Sequence, residues 1–308
     1  MLFNERQSRC AQAQTHLMIN NIKRLTEGIP SLGSYTGVIG EIERIVKDPE
    51  SSLADLGEII EKDPDLAARL LKLGNSAFYG FAQRLETVSE AISLIGIRQV
   101  EDLLLASSVI EVFDGISAIH VNMESFWEHS LACGICARCI AIARQMPAVE
   151  KFFLAGLIHD LGRLVLLSQV PKKATEIFAV YEGRRILLRD AEYEILGFDH
   201  AQIGEELLRG WQYPPNLVQS VAYHHRPMLA GIFQLESSVV HVADYIVHVM
   251  QMGNSVERYV PPLNLRAWER VGLSPDLVES IMQSIDEQIE AVHESFLRSS
   301  KGRSRPAA

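Results

Sequence analysis

Seven side chains in the second half of this 308-residue chain are of the kinds that hold transition metals: His129, His159, Asp160, His200, His224, His225 and Asp244. Neutral imidazoles and carboxylates suit Fe, Mn, Zn or Ni, so a divalent transition metal is the cofactor they point to. Because they are scattered from residue 129 to residue 244, they can meet only if the helices bearing them face a common interior, as in the metal sites of helical bundles. His159 and Asp160 are neighbours, and on a helix they would point about 100° apart. Both reach one ion only if it lies over the edge between them, or if the carboxylate bridges two ions. Such a site would lower the pKa of a bound water and supply hydroxide near neutral pH. The competing expectation is a buried hydrogen-bonded network without an ion, because polar groups inside a protein need partners.

Other chemistry-bearing residues have plainer explanations. Cys133, Cys136 and Cys139 form a C-x-x-C-x-x-C array, but inside a predicted helix the three thiols fan over about 120° and lack an assigned fourth ligand. Small core packing is expected of them instead. His16, His120, His241, His248 and His293 have no clear set of partners. His241 and His248 share a predicted helix with Asp244, where one of them could stand behind that carboxylate; surface or core roles are otherwise expected.

The elements that must position these residues read as helices throughout. Ser52 and Asp55 form a capping box for Leu53–Glu61, and Asp63-Pro64 opens the next helix with cap and first turn. Leu66, Leu70 and Leu73 fall on one face of it, Gly74 ends it, and Thr87 with Glu90 opens another. Val100 to Phe113 is apolar on most sides and predicted buried. Met123 to Gln145 forms a long helix, followed by helices at Val149–His159, Pro171–Glu182, Arg189–Leu196, His200–Arg209, Pro215–His225 and Phe233–Met252. The last begins at Ser274-Pro275, with Val278, Ile281, Ile285, Ile289, Val292 and Phe296 in one stripe. That stripe is expected to pack on its own domain, a dimer contact being the alternative. The divisions are a lead helix (1–26), an N-terminal helical subdomain (27–116), a second helical subdomain (117–253), C-terminal helices (254–297) and a disordered tail (298–308).

The run from Lys62 to Gly80, KDPDLAARLLKLGNSAFYG, is the most distinctive in the chain. With Thr87, Ala91, Ile92 and Gly96 after it and Ile29-Pro30-Ser31-Leu32 before it, it resembles the HDOD (HD-related output domain) family over roughly Gly28 to His225. Caps and turns account for its residues, with ligand binding by Asn75 and Tyr79 as the other option. Downstream, the order of imidazoles and carboxylates and the segment AGLIHDLGRL (Ala155–Leu164) resemble the HD phosphohydrolase superfamily, especially its HD-GYP branch. The resemblance implies an all-α fold, an N-terminal helical bundle followed by an HD-domain-like bundle. It also implies that His129, His159, Asp160, His200, His224 or His225, and Asp244 stand at ligand positions. Arg163 stands where the active branch commonly has Lys, so in an active enzyme His159, Asp160 and Arg163 would be catalytic. After His224-His225 the chain continues Arg226-Pro227-Met228, without a Gly-Tyr-Pro element, which argues against cyclic-di-GMP hydrolysis.

Composition narrows the function classes. A net charge of −10 opposes nucleic-acid binding. No apolar run of the length of a membrane span stands out, and the N-terminus is too polar for a signal peptide, so a cytoplasmic location is expected. The expected function, implied by the family resemblance, is bacterial signal transduction. The module would bind signalling protein partners, and a small ligand or nucleotide as a second class, with a homodimer as an option. The alternative is a metal-dependent phosphohydrolase or phosphodiesterase.

Overall fold

A computed structural model of the chain describes residues 18–30, 40–42, 44, 45, 48, 52–113, 116, 120–254 and 256–297, and among these the regular structure is helical without a strand. The all-α expectation holds. The start of the lead helix, residues 31 and 32 of the opening motif, most of the stretch 114–122 and the tail lie outside the described residues.

The helices begin where local chemistry says they should. In α1 (Leu53–Glu61) the Ser52 hydroxyl accepts from the Asp55 amide while the Asp55 carboxylate accepts from the Ser52 amide at 2.8 Å. Asp63 caps α2 (Pro64–Gly74) and the Thr87/Glu90 box caps α3 (Val88–Ile95). Each box satisfies amides that an open helix end leaves without partners. Leu66, Leu70 and Leu73 are buried on α2, which packs on α1 and α3, and α4 (Ile97–Val112) is buried along Val100, Leu103, Leu104, Val109 and Ile110.

The second half is built around α5 (Met123–Ala143), which is buried on all sides from Phe126 to Ala141. Against it pack α6 (Val149–Ile158), α12 (Gln234–Met250) and α14 (Pro275–Phe296). The α5–α6 crossing is unusually close because both contact positions are glycine. A Cβ on Gly134 would lie 2.8 Å from the Phe153 carbonyl oxygen, and one on Gly156 would lie 2.5 Å from that of Cys133. Between α6 and α12 run α7 (Leu161–Gln169), α8 (Pro171–Arg184), α9 (Leu188–Leu196), α10 (His200–Gly210) and α11 (Pro215–Ala222). A short α13 (Leu265–Val271) precedes α14.

Several expectations are corrected. Residues 161–169 and 265–271 are helical although no helix was predicted there. The predicted Pro215–His225 helix ends at Ala222, so His224 and His225 lie on a turn before two short 3-10 turns. The run Val149–Gln169 is long and apolar enough to cross a membrane, contrary to the sequence expectation, but 89% of its window is buried inside the protein. It is two core helices broken at His159-Asp160.

The apolar stripe of α14 is covered from within, because Ile281, Ile285, Val292 and Phe296 are buried and α14 packs on α5 and α2. The distinctive Asn-Ser-Ala-Phe-Tyr segment is also structural. Asn75 donates to the carbonyls of Leu71 and Leu85 and accepts from the Leu85 amide at 2.7 Å. Phe78 and Tyr79 lie beneath the buried Arg138 guanidinium, which donates to the Phe78 carbonyl at 2.8 Å. Tyr79 donates to Glu150. The motif therefore joins the N-terminal half to the central helix, and its polar groups are used in doing so.

Candidate metal centre

Three histidines enter the centre in the same way. His129 on α5 has its Nδ1 3.3 Å from the Met252 carbonyl oxygen, His159 its Nδ1 2.7 Å from that of Gly156, and His224 its Nδ1 2.7 Å from that of Val221. A carbonyl can only accept, so each Nδ1 carries a proton, and in the neutral ring Nε2 then presents its lone pair. This tautomer is the one that binds metals, with the ring orientation set by the carbonyl behind it. Glycine again permits the approach at His129, where a Cβ on Gly253 (φ 61°) would overlap the His129 amide. His159 is the C-cap of α6 and Asp160 the N-cap of α7. The helix break turns the two neighbouring side chains together, to 3.5 Å between His159 Nε2 and Asp160 Oδ2.

The inward atoms converge without satisfying one another. Asp244 Oδ1 lies 3.3 Å from His129 Nε2 and 3.6 Å from His159 Nε2, and Asp160 Oδ1 lies 3.8 Å from His224 Nε2. His159 Nε2 and His224 Nε2 are fully buried without an aligned hydrogen-bond partner, while Asp160 Oδ1 lies 3.1 Å from His200 Nε2 and Asp244 Oδ1 lies 2.8 Å from His248 Nδ1. Ligands about 2.1 Å from one tetrahedral ion stand about 3.4 Å apart, which is the separation seen here. Three sets of donor atoms each lie within 4.8 Å of one another: those of His129, Cys133, His159 and Asp244; of His159, Asp160 and His224; and of His200, His224 and His225. The residues present fit a divalent transition metal.

Around these donors the charge is internally matched. Arg163 meets Asp160 at 2.9 Å, Glu192 meets His200 Nδ1 at 2.6 Å, and His248 Nδ1 meets Asp244 at 2.8 Å. Burial opposes ionisation of every one of these groups, and the partners outweigh it. Against burial, Arg163, His159 and His200 hold the Asp160 carboxyl well below its usual range. Against burial, Glu192 raises His200 to about 9, and Asp244 raises His248 to about 9. His200 then donates from Nδ1 to Glu192 and from Nε2 to the neutral His225, 2.9 Å away. Burial and the neighbouring imidazoles keep His224 and His225 well below the usual histidine value.

All seven predicted ligand residues and Arg163 thus come together in one interior region, but in different roles. His129, His159, Asp160, His224 and Asp244 point donor atoms at the centre. His200 has both ring nitrogens engaged, and His225 meets His200 rather than either aspartate. Of the two histidines that share a helix with Asp244, it is His248, four residues on, that stands behind the carboxylate. Two further members were missed. Cys133 stands four residues after His129, but was read as packing. Glu192 carries no sequence signal; only the tertiary fold brings it to His200. His241 proves to be a bridge in the core, with Nδ1 facing the His224 carbonyl and Nε2 accepting from the Asn264 amide. Cys136 and Cys139 are buried thiols of α5 outside these groups, as expected of packing residues.

The chain is 27% identical over 215 residues to an uncharacterized protein of Treponema pallidum (strain Nichols), covering 70% of this chain and 41% of that protein. It is 30% identical over 112 residues to a cyclic di-GMP phosphodiesterase of Pseudomonas aeruginosa, covering 35% of this chain and 24% of that protein. The chain therefore spans less than half the length of either. Among solved structures, an HDOD domain protein with unknown function from Geobacter sulfurreducens superposes with a TM-score of 0.72 at 20% identity, over 91% of this chain and 99% of that one. A candidate phosphohydrolase of Shewanella amazonensis superposes at 0.68 and 22% identity, over 87% and 96% of the two chains. At such identities these likenesses speak for the fold alone. The HDOD domain model itself matches residues 32–227, more than half of the chain, and with the helical architecture and the inward His and Asp residues described above it places this chain in the HDOD family.

Proposed function

We propose that the protein is a bacterial signal-transduction module that acts by binding a partner protein, and that its His/Asp centre holds a metal ion without hydrolysing a phosphate ester. One observation carries this reading: the centre is closed and its charges are already matched. His129, His159, Asp160, Arg163, His200, His224 and Asp244 are each no more than 4% exposed. Arg163, the residue that would meet a phosphate, is instead held at 2.9 Å by Asp160 in the same buried layer. A phosphoryl group would have to cross the packed helices and displace that carboxylate.

An ion bound here would supply Lewis acidity and an acidic water. The chain's own residues do the rest. His129, His159 and Asp244, with Asp160 and His224 beside them, would hold the ion, and the carbonyls of Met252, Gly156 and Val221 orient the rings. Occupation would fix α5, α6, α11 and α12 against one another, and so bias the surface those helices support. The partner is a signalling protein, with a small ligand or nucleotide as the second class.

The test is a comparison of untagged wild-type protein with His159→Ala and Asp160→Ala. Metal content is measured, and hydrolysis is screened over phosphomonoesters, nucleotides and cyclic dinucleotides. We expect bound metal in the wild type, less in both variants, and turnover at the level of buffer in all three. Metal-dependent turnover that disappears in both variants would overturn the reading in favour of the alternative, a metal-dependent phosphohydrolase.

A further inference from the structure

Cys133 is buried in the core, as expected of a packing residue, and its sulfur also lies beside the donor atoms. Its Sγ is 3.5 Å from His129 Nε2, one helical turn away on the same face of α5, and within 4.8 Å of the donor atoms of His159 and Asp244. We propose that Cys133 is a thiolate ligand, and that His129 Nε2, Cys133 Sγ, His159 Nε2 and Asp244 Oδ1 form a four-coordinate site for a zinc-class ion, Zn²⁺ or Co²⁺.

Geometry, composition and competition support this set. With metal–sulfur and metal–nitrogen bonds of about 2.3 and 2.0 Å, a tetrahedral site separates S and N ligands by about 3.5 Å, matching Cys133 and His129. The second, independent sign is that His159 Nε2 is fully buried and points inward without an aligned partner, 3.6 Å from Asp244 Oδ1. One thiolate and one carboxylate match the charge of a dication, so the ion and its four ligands together are neutral, and an unpaired charge in a closed interior is costly. Asp160 belongs to a different donor set, with His159 and His224, and is not within reach of Cys133 as Asp244 is. As the metal–sulfur bond forms, the thiol proton leaves to solvent. Mixed N and S donors select zinc-class ions over magnesium or calcium. Four protein ligands and no open position describe a structural or sensing site rather than a catalytic one. The proposal deepens the non-hydrolytic reading and rests on it for that last point.

The experiment uses the full, untagged chain expressed with cobalt in place of zinc. Thiolate ligation predicts visible bands of tetrahedral intensity together with a near-ultraviolet sulfur-to-cobalt charge-transfer band. Cys133→Ser should lose the near-ultraviolet band and weaken cobalt binding by more than tenfold, since even changes behind the ligands cost tenfold or more. Cys136→Ser, one turn along the same helix, should keep both. Circular dichroism establishes that each variant is folded, and should Cys133→Ser fail to fold, the wild-type spectrum alone decides. Cobalt bound without the charge-transfer band, a band retained in Cys133→Ser, or a wild type that takes up no cobalt would each overturn the proposal. These outcomes differ from failure of the regulatory reading, which would appear as phosphoester turnover whatever the cobalt spectrum shows.

Discussion

Arg163 and Asp160 show how individual side chains in this centre are constrained. Each is a buried charge whose nearest opposite charge is the other, at 2.9 Å. Without Arg163, Asp160 keeps only His200 Nε2, 3.1 Å away, as a close opposite charge; breaking a buried pair costs about 3–5 kcal/mol, whereas replacing both members with well-packed apolar groups is often neutral. Arg163→Met should therefore lower the unfolding free energy of the metal-free protein by about 3–5 kcal/mol in urea titrations at pH 7. The double variant Arg163→Met/Asp160→Leu should lose clearly less than the sum of the single losses. Additive losses would mean that the two charges do not act as a pair. The residue types of the centre were legible in the sequence because His and Asp seldom sit inside without cause. Their roles were not. Nothing local distinguishes His200, locked by Glu192 from α9, from His224, whose Nε2 faces the centre, since the difference lies in what other helices bring alongside.

At the scale of elements, legibility followed how local the signal was. The starts of α1, α2 and α3 could be read because a cap is a contact between residues two or three apart. The helix α7 could not, because its N-cap Asp160 makes no capping hydrogen bond and turns its carboxylate into the centre instead. Close helix crossings were equally silent in the sequence, although they bring the site together. Gly162 on α7 lies so near α10 that a Cβ there would overlap the His200 carbonyl, and Gly156 on α6 is as tight against Cys133. Gly162→Ala should force α7 and α10 apart and destabilise the protein by about 1–3 kcal/mol. It should also lower metal content, because Asp160 and Arg163 move with α7. Gly183→Ala, on a helix with nothing within 4 Å of the new carbon, should instead raise stability by up to about 1 kcal/mol. Thermal melts of the two variants with metal analysis decide the matter, and similar melting temperatures would refute the crossing argument.

For the whole molecule, the question is what joins the N-terminal helices to the half that carries the candidate metal centre. The two are joined by Arg138 over Phe78, by α14 on α2, and by a seam between α4, α6 and the start of α11. In that seam a cavity of about 390 Å³ is bordered by Arg98 and Asp102 from one half and Lys151, Tyr213 and Asn216 from the other. Burial pushes the Asp102 carboxyl up to about 7, with Glu101 and Glu150 adding to the effect and Lys151 and Arg98 opposing it. An acid whose pKa is raised by folding stabilises the fold fully only below its unfolded value, about 3.9. That contribution is lost as pH rises through about 7, where the folded protein must carry the charge in the seam. Asp102→Asn keeps the shape and removes the ionisation. The variant should match wild type near pH 4 and become more stable than wild type from pH 6 to pH 8, by up to about 4 kcal/mol if the full shift is expressed. Urea unfolding at three pH values reads the difference directly. A gap that does not widen with pH would show that Asp102 ionises as freely as a surface carboxylate, and that the junction between the two halves does not respond to protons near neutrality.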